Sequence, residues 1–399
     1  MSQEFTPTAE QLAMAEERRR KKEQRELAAA KEAEEKSRIL PREWLTVQDV
    51  PSIETGRTVR VMSWNEVDQL DKLLPVLDGA GYAWVYKAGP RKKHGCLIAY
   101  RKEAYTLADE EIVLYDEQDV REDGSDRARR GSSFRTKNIA SLVRLRRSGT
   151  MSEGLIVATT HLFWHPSYTY ERTRQAGILL REVVKFRDKV SSDGNEWPCI
   201  VAGDFNFPPD DPAYSLMMGD PLLPEQKARL AASRVVHITI DPDVSATPNV
   251  DTVEGEEGGE VGKTDPDKVI TNARPASADD GLLADNELQD LFSRSGAPMS
   301  IYDEGQRRLP SSLTVNLTFQ SRQSVDSSRH GGFEPVWTSY THYWQSVLDY
   351  IFVLQPRRLG IVTKIAQPHQ ADVLTPGLPQ KGVCGSDHIS LGAELFLPT

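Results

Sequence analysis

The sequence predicts an α/β protein built as a layered sandwich of two sheets. Short β-rich segments outnumber helical ones, they follow one another in series, and only two helical patterns stand out. The β-rich segments are 58–64, 95–100, 139–145, 154–160, 198–202, 346–353 and 388–396. The helical patterns are 67–77 and 170–189, the second with Ile178, Leu179, Val183 and Phe186 spaced along one face. A regular βαβ array needs a crossover helix between successive parallel strands, and this pattern does not supply them.

A chain of 399 residues has room for two or three average domains, or for one large α/β domain carrying tails and insertions. With 38% hydrophobic and 27% charged residues, some of it is expected to stay outside the core. Residues 1–45 read as a charged arm, helical or disordered, because 16–36 holds strong helix formers and almost no large apolar residue. Its run Arg18-Arg19-Arg20-Lys21-Lys22 suits a nuclear-localisation or RNA-touching patch, and equally a solvated arm. The rest, 46–399, reads as one domain interrupted at 241–280 by an acidic insertion, expected to be disordered because it has too little apolar surface to offset its ordering entropy.

A formal charge of −10 argues against a nucleic-acid partner only if it is evenly spread. It is not: the 241–280 segment has eleven acidic against three basic residues, so −8 of the −10 lies there. The remainder is nearly neutral and carries two basic clusters. One runs from Arg127 to Arg147 without an acidic residue and includes Arg135; the other is Lys87, Arg91, Lys92, Lys93 and His94. Either is a solvated face or a phosphate-facing one. Three scattered cysteines without a Cys-x-x-Cys spacing indicate neither a zinc module nor a disulfide scaffold. No apolar run reaches the length of a membrane span, and the start MSQEFTPTAEQ lacks the form of a signal peptide. The expectation is an intracellular protein, cytoplasmic or nuclear, without membrane attachment; no stable protein partner is inferable.

Four segments carry chemistry. The apolar run 199–202 ends in Gly203-Asp204-Phe205-Asn206. On an extended chain, i and i+2 face one side, so Asp204 and Asn206 are expected to project together, a carboxylate beside an amide suited to metal-assisted hydrolysis. Taken alone, Asp-x-Asn before Pro-Pro is equally an ordinary turn. Ser386-Asp387-His388 precedes the last strand, where a His can protonate a leaving group or steady a phosphate while Asp387 meets a metal. Asp349 interrupts an apolar strand, and a buried acid needs a partner such as a His. His161 ends the strand 154–160, with Gln175 on the helix that follows. His161 and His165 have the spacing of a zinc pair, but Pro166 and the preceding strand argue against the helix such a pair needs.

In this order the four blocks resemble the endonuclease/exonuclease/phosphatase superfamily, which includes deoxyribonuclease I and abasic-site endonucleases. THLFWHPSYTYERTRQ, VAGDFNFPPDDPAYSLM, FEPVWTSYTHYWQSVLDYIFV and GSDHISLGAEL look closest to the Ngl-type, deadenylase-like RNA exonucleases of fungi. The resemblance runs from about Arg38 onward, outside the acidic insertion. It implies a four-layer α/β sandwich of the deoxyribonuclease I type, with two packed mixed sheets flanked by helices. It also implies an Mg²⁺-dependent hydrolase, with Mn²⁺ as a possible substitute, acting on RNA as a 3′-to-5′ exonuclease. Carried over by residue, it gives Asp204 and Asn206 as water-activating and substrate-orienting groups, His388 as the catalyst on the phosphate, Asp349 as its partner and His161 as a phosphate contact. Asp387 and Glu66 are then metal ligands, and Asn65, Lys92, Lys93 and Arg135 face the substrate.

One junction departs from that pattern. Val59 to Asn65 resembles the family's first strand block and Glu66-Val67-Asp68 its metal-binding block, yet they are adjacent, with a helix and a strand absent between them. Neighbours on a strand point to opposite faces, so Asn65 and Glu66 cannot both enter a pocket unless the chain turns. The expectation is that Glu66 keeps the ligand position and 58–65 stands in for the missing strand. Two further readings follow: another phosphodiesterase or phosphatase on the same fold, or an RNA-binding scaffold impaired at this junction.

Overall fold

Strand 349–354 is buried along its whole length, and a strand buried on both faces must lie between two other layers. The computed structural model describes residues 9–36, 42–49, 55–65, 70–150, 152–189, 197–245, 272–354, 361–380 and 384–398. Helix α1 (Ala9–Lys36) precedes strands β1 (Trp44–Thr46) and β2 (Gly56–Ser63), helix α2 (Leu70–Gly79), and strands β3 (Tyr82–Ala88), β4 (Gly95–Arg101) and β5 (Tyr105–Leu114). After α3 (Asp126–Arg130) come β6 (Ile139–Arg147), β7 (Gly154–His161), the long α4 (Thr169–Asp188) and β8 (Cys199–Asp204). Then follow α5 (Pro212–Met218), α6 (Pro224–Ala232), β9 (Val235–His237), β10 (Ala273–Pro275) and α7 (Asp285–Ser293). The remainder runs β11 (Met299–Ser300), α8 (Ile301–Arg308), α9 (Ser311–Thr314), β12 (Ser339–Tyr340), β13 (Gln345–Ser346), β14 (Asp349–Leu354), β15 (Ile361–Ala366), α10 (Ala371–Leu374) and β16 (Leu391–Pro398).

The central sheet has the order β11-β14-β8-β7-β6-β5, antiparallel except for the parallel pair β7·β8 that α4 connects. A second sheet, β1-β15-β16-β2, is antiparallel throughout. Alternation divides the central sheet's side chains. Leu142, Ile156, Val201 and Phe352 face α4 to α7, while Leu155, Ile200, Ile351 and Val353 face the second sheet through Val59, Leu391, Ala393 and Leu395. The fold is therefore the predicted four-layer α/β type with unequal outer layers. Helices α4 to α7 cover one side; on the other, α2 touches β3 and buries none of its residues.

Hairpin β3·β4 packs Val85 and Ile98 on Val143 and Leu145, on the same face of the central sheet that carries β2 and β16. It is nevertheless a sheet of its own, and β2 pairs only with β16 among the described strands. Residues 58–65 thus do not stand in for a further strand: the layer is split between β2 and β4, and among the described residues one edge of β2 has no strand against it. Beside this edge Met62 is 70% exposed, and Trp44 on the same sheet 45%.

Helix α1 is the charged arm, solvent-exposed over 16–28, where Lys21 pairs with Glu17 at 2.8 Å and Arg19 and Lys22 with Glu23 and Glu26. Among the described residues no helix is long and apolar enough to cross a membrane. The expected disorder of 241–280 does not extend to its flanks. Asp280 is buried and bonds both Arg274 and Arg127, and Asp241 joins them through Arg274 at 2.6 Å. Residues 246–271 lie outside the described residues. The basic run 127–147 is likewise partly neutralised, through Arg127, the Arg129–Asp126 pair and the Arg147–Glu153 pair.

Charged groups inside the helical layer are paired. Arg172 bonds Asp211 at 2.8 Å, and Arg174 bonds Glu171 at 3.0 Å and the carbonyls of Arg130, Tyr115 and Gln118. Such pairs offset their desolvation only when every hydrogen bond is made, so they fix the loop they hold more than they stabilise the fold. Glu334 is different: burial first, and then the nearby Asp303 carboxylate, hold its carboxyl well above the ordinary 4.5, while Tyr214 Oη donates to it at 2.8 Å. Folded protein therefore keeps a proton that unfolded chain releases, so stability should fall as pH rises from that ordinary value through the raised one. Urea midpoints at several pH values should show this decline in wild type and a flatter profile in Glu334→Gln; identical profiles would contradict it.

Candidate active site

Because β7 and β8 are parallel and β14 antiparallel to them, the C-terminal ends of β7 and β8 meet the start of β14. The register sets Asp204 opposite Asp349 and beside His161, and residues paired across strands share a face. Three polar side chains are thus gathered at one end of the sheet by strand pairing alone. His161 Nε2 lies 3.6 Å from Asp204 Oδ2.

Asp204 and Asn206 come together as expected, but not by extended-chain alternation. Strand β8 stops at Asp204; Asn206 has φ 54°, its N–H donates to Asp204 Oδ1 at 2.8 Å, and its Nδ2 donates to Leu162 O at 3.0 Å. A left-handed Asn closing a turn onto the acid therefore combines the turn and the site in one segment. Gly203 holds φ 143° with Thr160 O only 2.2 Å from where a Cβ would stand.

Asp349 finds the partner its burial demanded. Its Oδ2 lies 2.6 Å from His388 Nδ1, and both residues are buried. Burial works to lower the His388 pKa, but the charges of Asp349, Asp204 and Asp387 outweigh it and raise the pKa to about 10. With Asp349 Oδ2 accepting the hydrogen bond from Nδ1–H, Nε2 faces Asp204 Oδ2 at 3.8 Å and Asp387 Oδ2 at 4.0 Å.

His388 is not at the start of β16, which begins at Leu391, so other contacts must hold it. Its amide donates to Ser386 Oγ at 3.0 Å, and Ser386 Oγ donates to Asn65 O. Ile389 N donates to Thr338 O at 2.7 Å, while Thr338 Oγ1 accepts the amides of Leu348 and Asp349. Asn65 Nδ2 donates to Asp204 Oδ2 at 2.8 Å, and Trp64 Nε1 to His388 O. Asn65, beyond the end of β2, is thus the junction residue that reaches the pocket; Glu66 lies outside the described residues.

Of the remaining expected residues, Lys92 Nζ donates to Asn138 Oδ1 at 3.4 Å, and Asn138 Nδ2 to His161 O at 2.7 Å. Lys93 is exposed one residue on. The structure does not bring Arg135 onto the central group: its amide bonds Thr239 Oγ1 and the residue is exposed. His165 is buried with its Nδ1 accepting from Ser167 N at 3.2 Å. Sequence reasoning passed over Ser386, Thr338 and Asn138. It also passed over Tyr343 and Trp344, 76% and 43% exposed on the β12·β13 turn. Tyr340 N, at the end of β12 just before that turn, donates to Asp387 O at 3.1 Å. Two adjacent aromatics before an apolar strand were the signal that could have marked them.

Among the described residues, Asp204, Asp349 and His388 bring ligand atoms within 4.8 Å of one another, so the centre can hold a cation. Buried Asp349 Oδ1 has no hydrogen-bond partner, an oxygen that a cation or a water would satisfy. Because His388 Nδ1 is engaged by Asp349, the oxygens of Asp204 and Asp387 beside Nε2 are the better donors to a hard ion.

A buried acid–histidine pair facing a second buried acid at the end of a two-sheet sandwich defines a class, and comparison with known proteins bears on it directly. The Endonuclease/Exonuclease/phosphatase family model matches residues 61–388, and the chain belongs to that family. It is similar to the probable RNA exonuclease C9B6.11c of Schizosaccharomyces pombe, 26% identical over 339 residues, covering 80% of this chain and 63% of that protein. It is also 26% identical over 353 residues to RNA exonuclease NGL2 of Saccharomyces cerevisiae, covering 79% of this chain and 65% of that protein. The chain thus spans less than two thirds of each of these relatives. ANGEL2, described as a 2′,3′-cyclic phosphatase, shares the fold with a TM-score of 0.50 at 18% identity, over 90% of this chain and 99% of its own.

Gly203→Ala should place a methyl group on a backbone oxygen and force an unfavourable φ, a cost of about 1–3 kcal/mol for the strain alone. Chemical denaturation should show at least that loss; an unchanged midpoint would mean that β7 and β8 do not approach so closely.

Proposed function

We propose that the protein hydrolyses phosphodiester bonds of RNA, removing nucleotides from the 3′ end with a divalent cation, Mg²⁺ by the chemistry of its donors. The observation that carries this is the His388–Asp349 pair set against Asp204. The relatives' names supply the substrate class. Asp387, with Glu66, would hold the ion, which when bound supplies Lewis-acid stabilisation of the charge on the phosphate.

The chain's own residues do the rest. Asp349 keeps the imidazole of His388 charged and oriented, so that Nε2–H donates to a phosphate oxygen whose charge grows in the transition state. Asp204, turned by Asn65 and the Asn206 amide, accepts the proton of the attacking water. His161 adds a second donor to the phosphate, and Lys92, Lys93 and Arg135 face the backbone beyond it. Tyr343 and Trp344 offer flat surfaces on which unpaired bases stack, and stacking tolerates any base.

With a 5′-labelled single-stranded oligoribonucleotide, the full chain should give a Mg²⁺-dependent ladder. His388→Ala should slow it by roughly a hundredfold or more, as loss of a transition-state donor does. Glu66→Ala should raise the Mg²⁺ concentration needed. RNA left intact, or cut as fast by Asp204→Ala as by wild type, would reject the reading. Trp344→Ala should raise KM by about tenfold, the equivalent of one lost base stack, with kcat little changed.

A further inference from the structure

The two basic clusters are far apart in sequence yet meet in the fold. Gly89 is pressed against Lys137 O, where a Cβ would stand 2.0 Å away, so loop 89–94 lies directly on loop 135–138. Asn138 joins them. Its Oδ1 accepts from the Lys92 ammonium and its Nδ2 donates to the carbonyl of His161. The amide has one orientation only: reversed, it would set oxygen against oxygen and NH₂ against an ammonium.

Asn138 is itself rigidly placed. Asp116 accepts the amides of Thr136 and Lys137 at 3.0 and 2.9 Å, and Gln175 Nε2 donates to Thr136 Oγ1 at 2.9 Å. The amide of Asn138 donates to the same Thr136 hydroxyl at 3.2 Å. Lysine carries a mobile point charge, and fixing its ammonium before substrate arrives lowers the ordering cost of the contact it makes.

We propose that Asn138 is a positioning residue: it holds Lys92 beside His161 so that loop 89–94 delivers one cationic contact to a substrate phosphate next to the scissile one. The inference rests on the RNA-hydrolase reading above. Lys92→Ala would remove the contact and Asn138→Ala would release the group that makes it, so the two should act on the same phosphate.

Binding of a fluorescent single-stranded oligoribonucleotide to the full chain, measured over a range of salt, tests this. Each phosphate neutralised on a single strand contributes about 0.7 to the slope of log affinity against log salt. Lys92→Ala and Asn138→Ala should each lower the slope by about that much, and the double variant by no more. Lys92→Arg, which keeps a cation able to reach the Asn138 oxygen, should keep the wild-type slope. A misfolded fraction lowers the amount bound without altering the slope. An unchanged slope in Asn138→Ala, or additive losses in the double variant, would overturn the inference while leaving the hydrolase reading intact. Wild type that neither binds nor cuts RNA would overturn both.

Discussion

The charge of Asp349 cannot remain in an apolar strand between two layers without a partner, and the site is organised around meeting it. His388 supplies the counter-charge at 2.6 Å from a loop well removed in sequence. That loop must then be secured, and Ser386, Thr338 and Ile389 tie it to Asn65 and to the amides leading into β14. Asp204 enters the same field because the register of β8 and β14 leaves it no other place. Strand pairing thus sets the carboxylates, and their mutual repulsion is relieved by one cationic ring.

The two-sheet sandwich was legible because alternation is local: the runs at 139–145 and 154–160 carry their own period, and the observed strands extend them by a residue or two. Strand β5 was not, since its acidic stretch at 109–111, exposed at Asp109 and Glu110, lies on the sheet's edge and reads as polar chain. Strand β3 was missed as well. The half-exposed Tyr-Ala-Trp-Val-Tyr run buries only Val85, so periodicity had little contrast to register.

Of the site, the acids and histidines were legible by type, because a carboxylate in an apolar strand and a His at a strand end are anomalies that demand an explanation. That Asp349 would need a partner such as a His followed from the cost of its burial; that the partner is His388 came from the family resemblance. The supports were not legible: Ser386, Thr338 and Asn138 are ordinary polar residues whose roles exist only once distant loops meet. The turn at Asn206 was read with the right neighbours for the wrong reason, since a left-handed residue leaves no trace in a periodicity argument. The strand substitution expected at 58–65 failed because β2 already has a fixed place, locked to β16 over its whole length.

That place has a consequence. Among the described residues, Asn65 hangs from a strand zipped on one side only, whereas Asp204 sits in a strand held on both. Opening of a strand costs least where fewest neighbours must part, so the amide that steadies Asp204 belongs to the softer half of the molecule. The centre is then assembled from pieces of unequal durability: heating should dismantle its rim before its floor, and the centre's geometry should be lost before the fold.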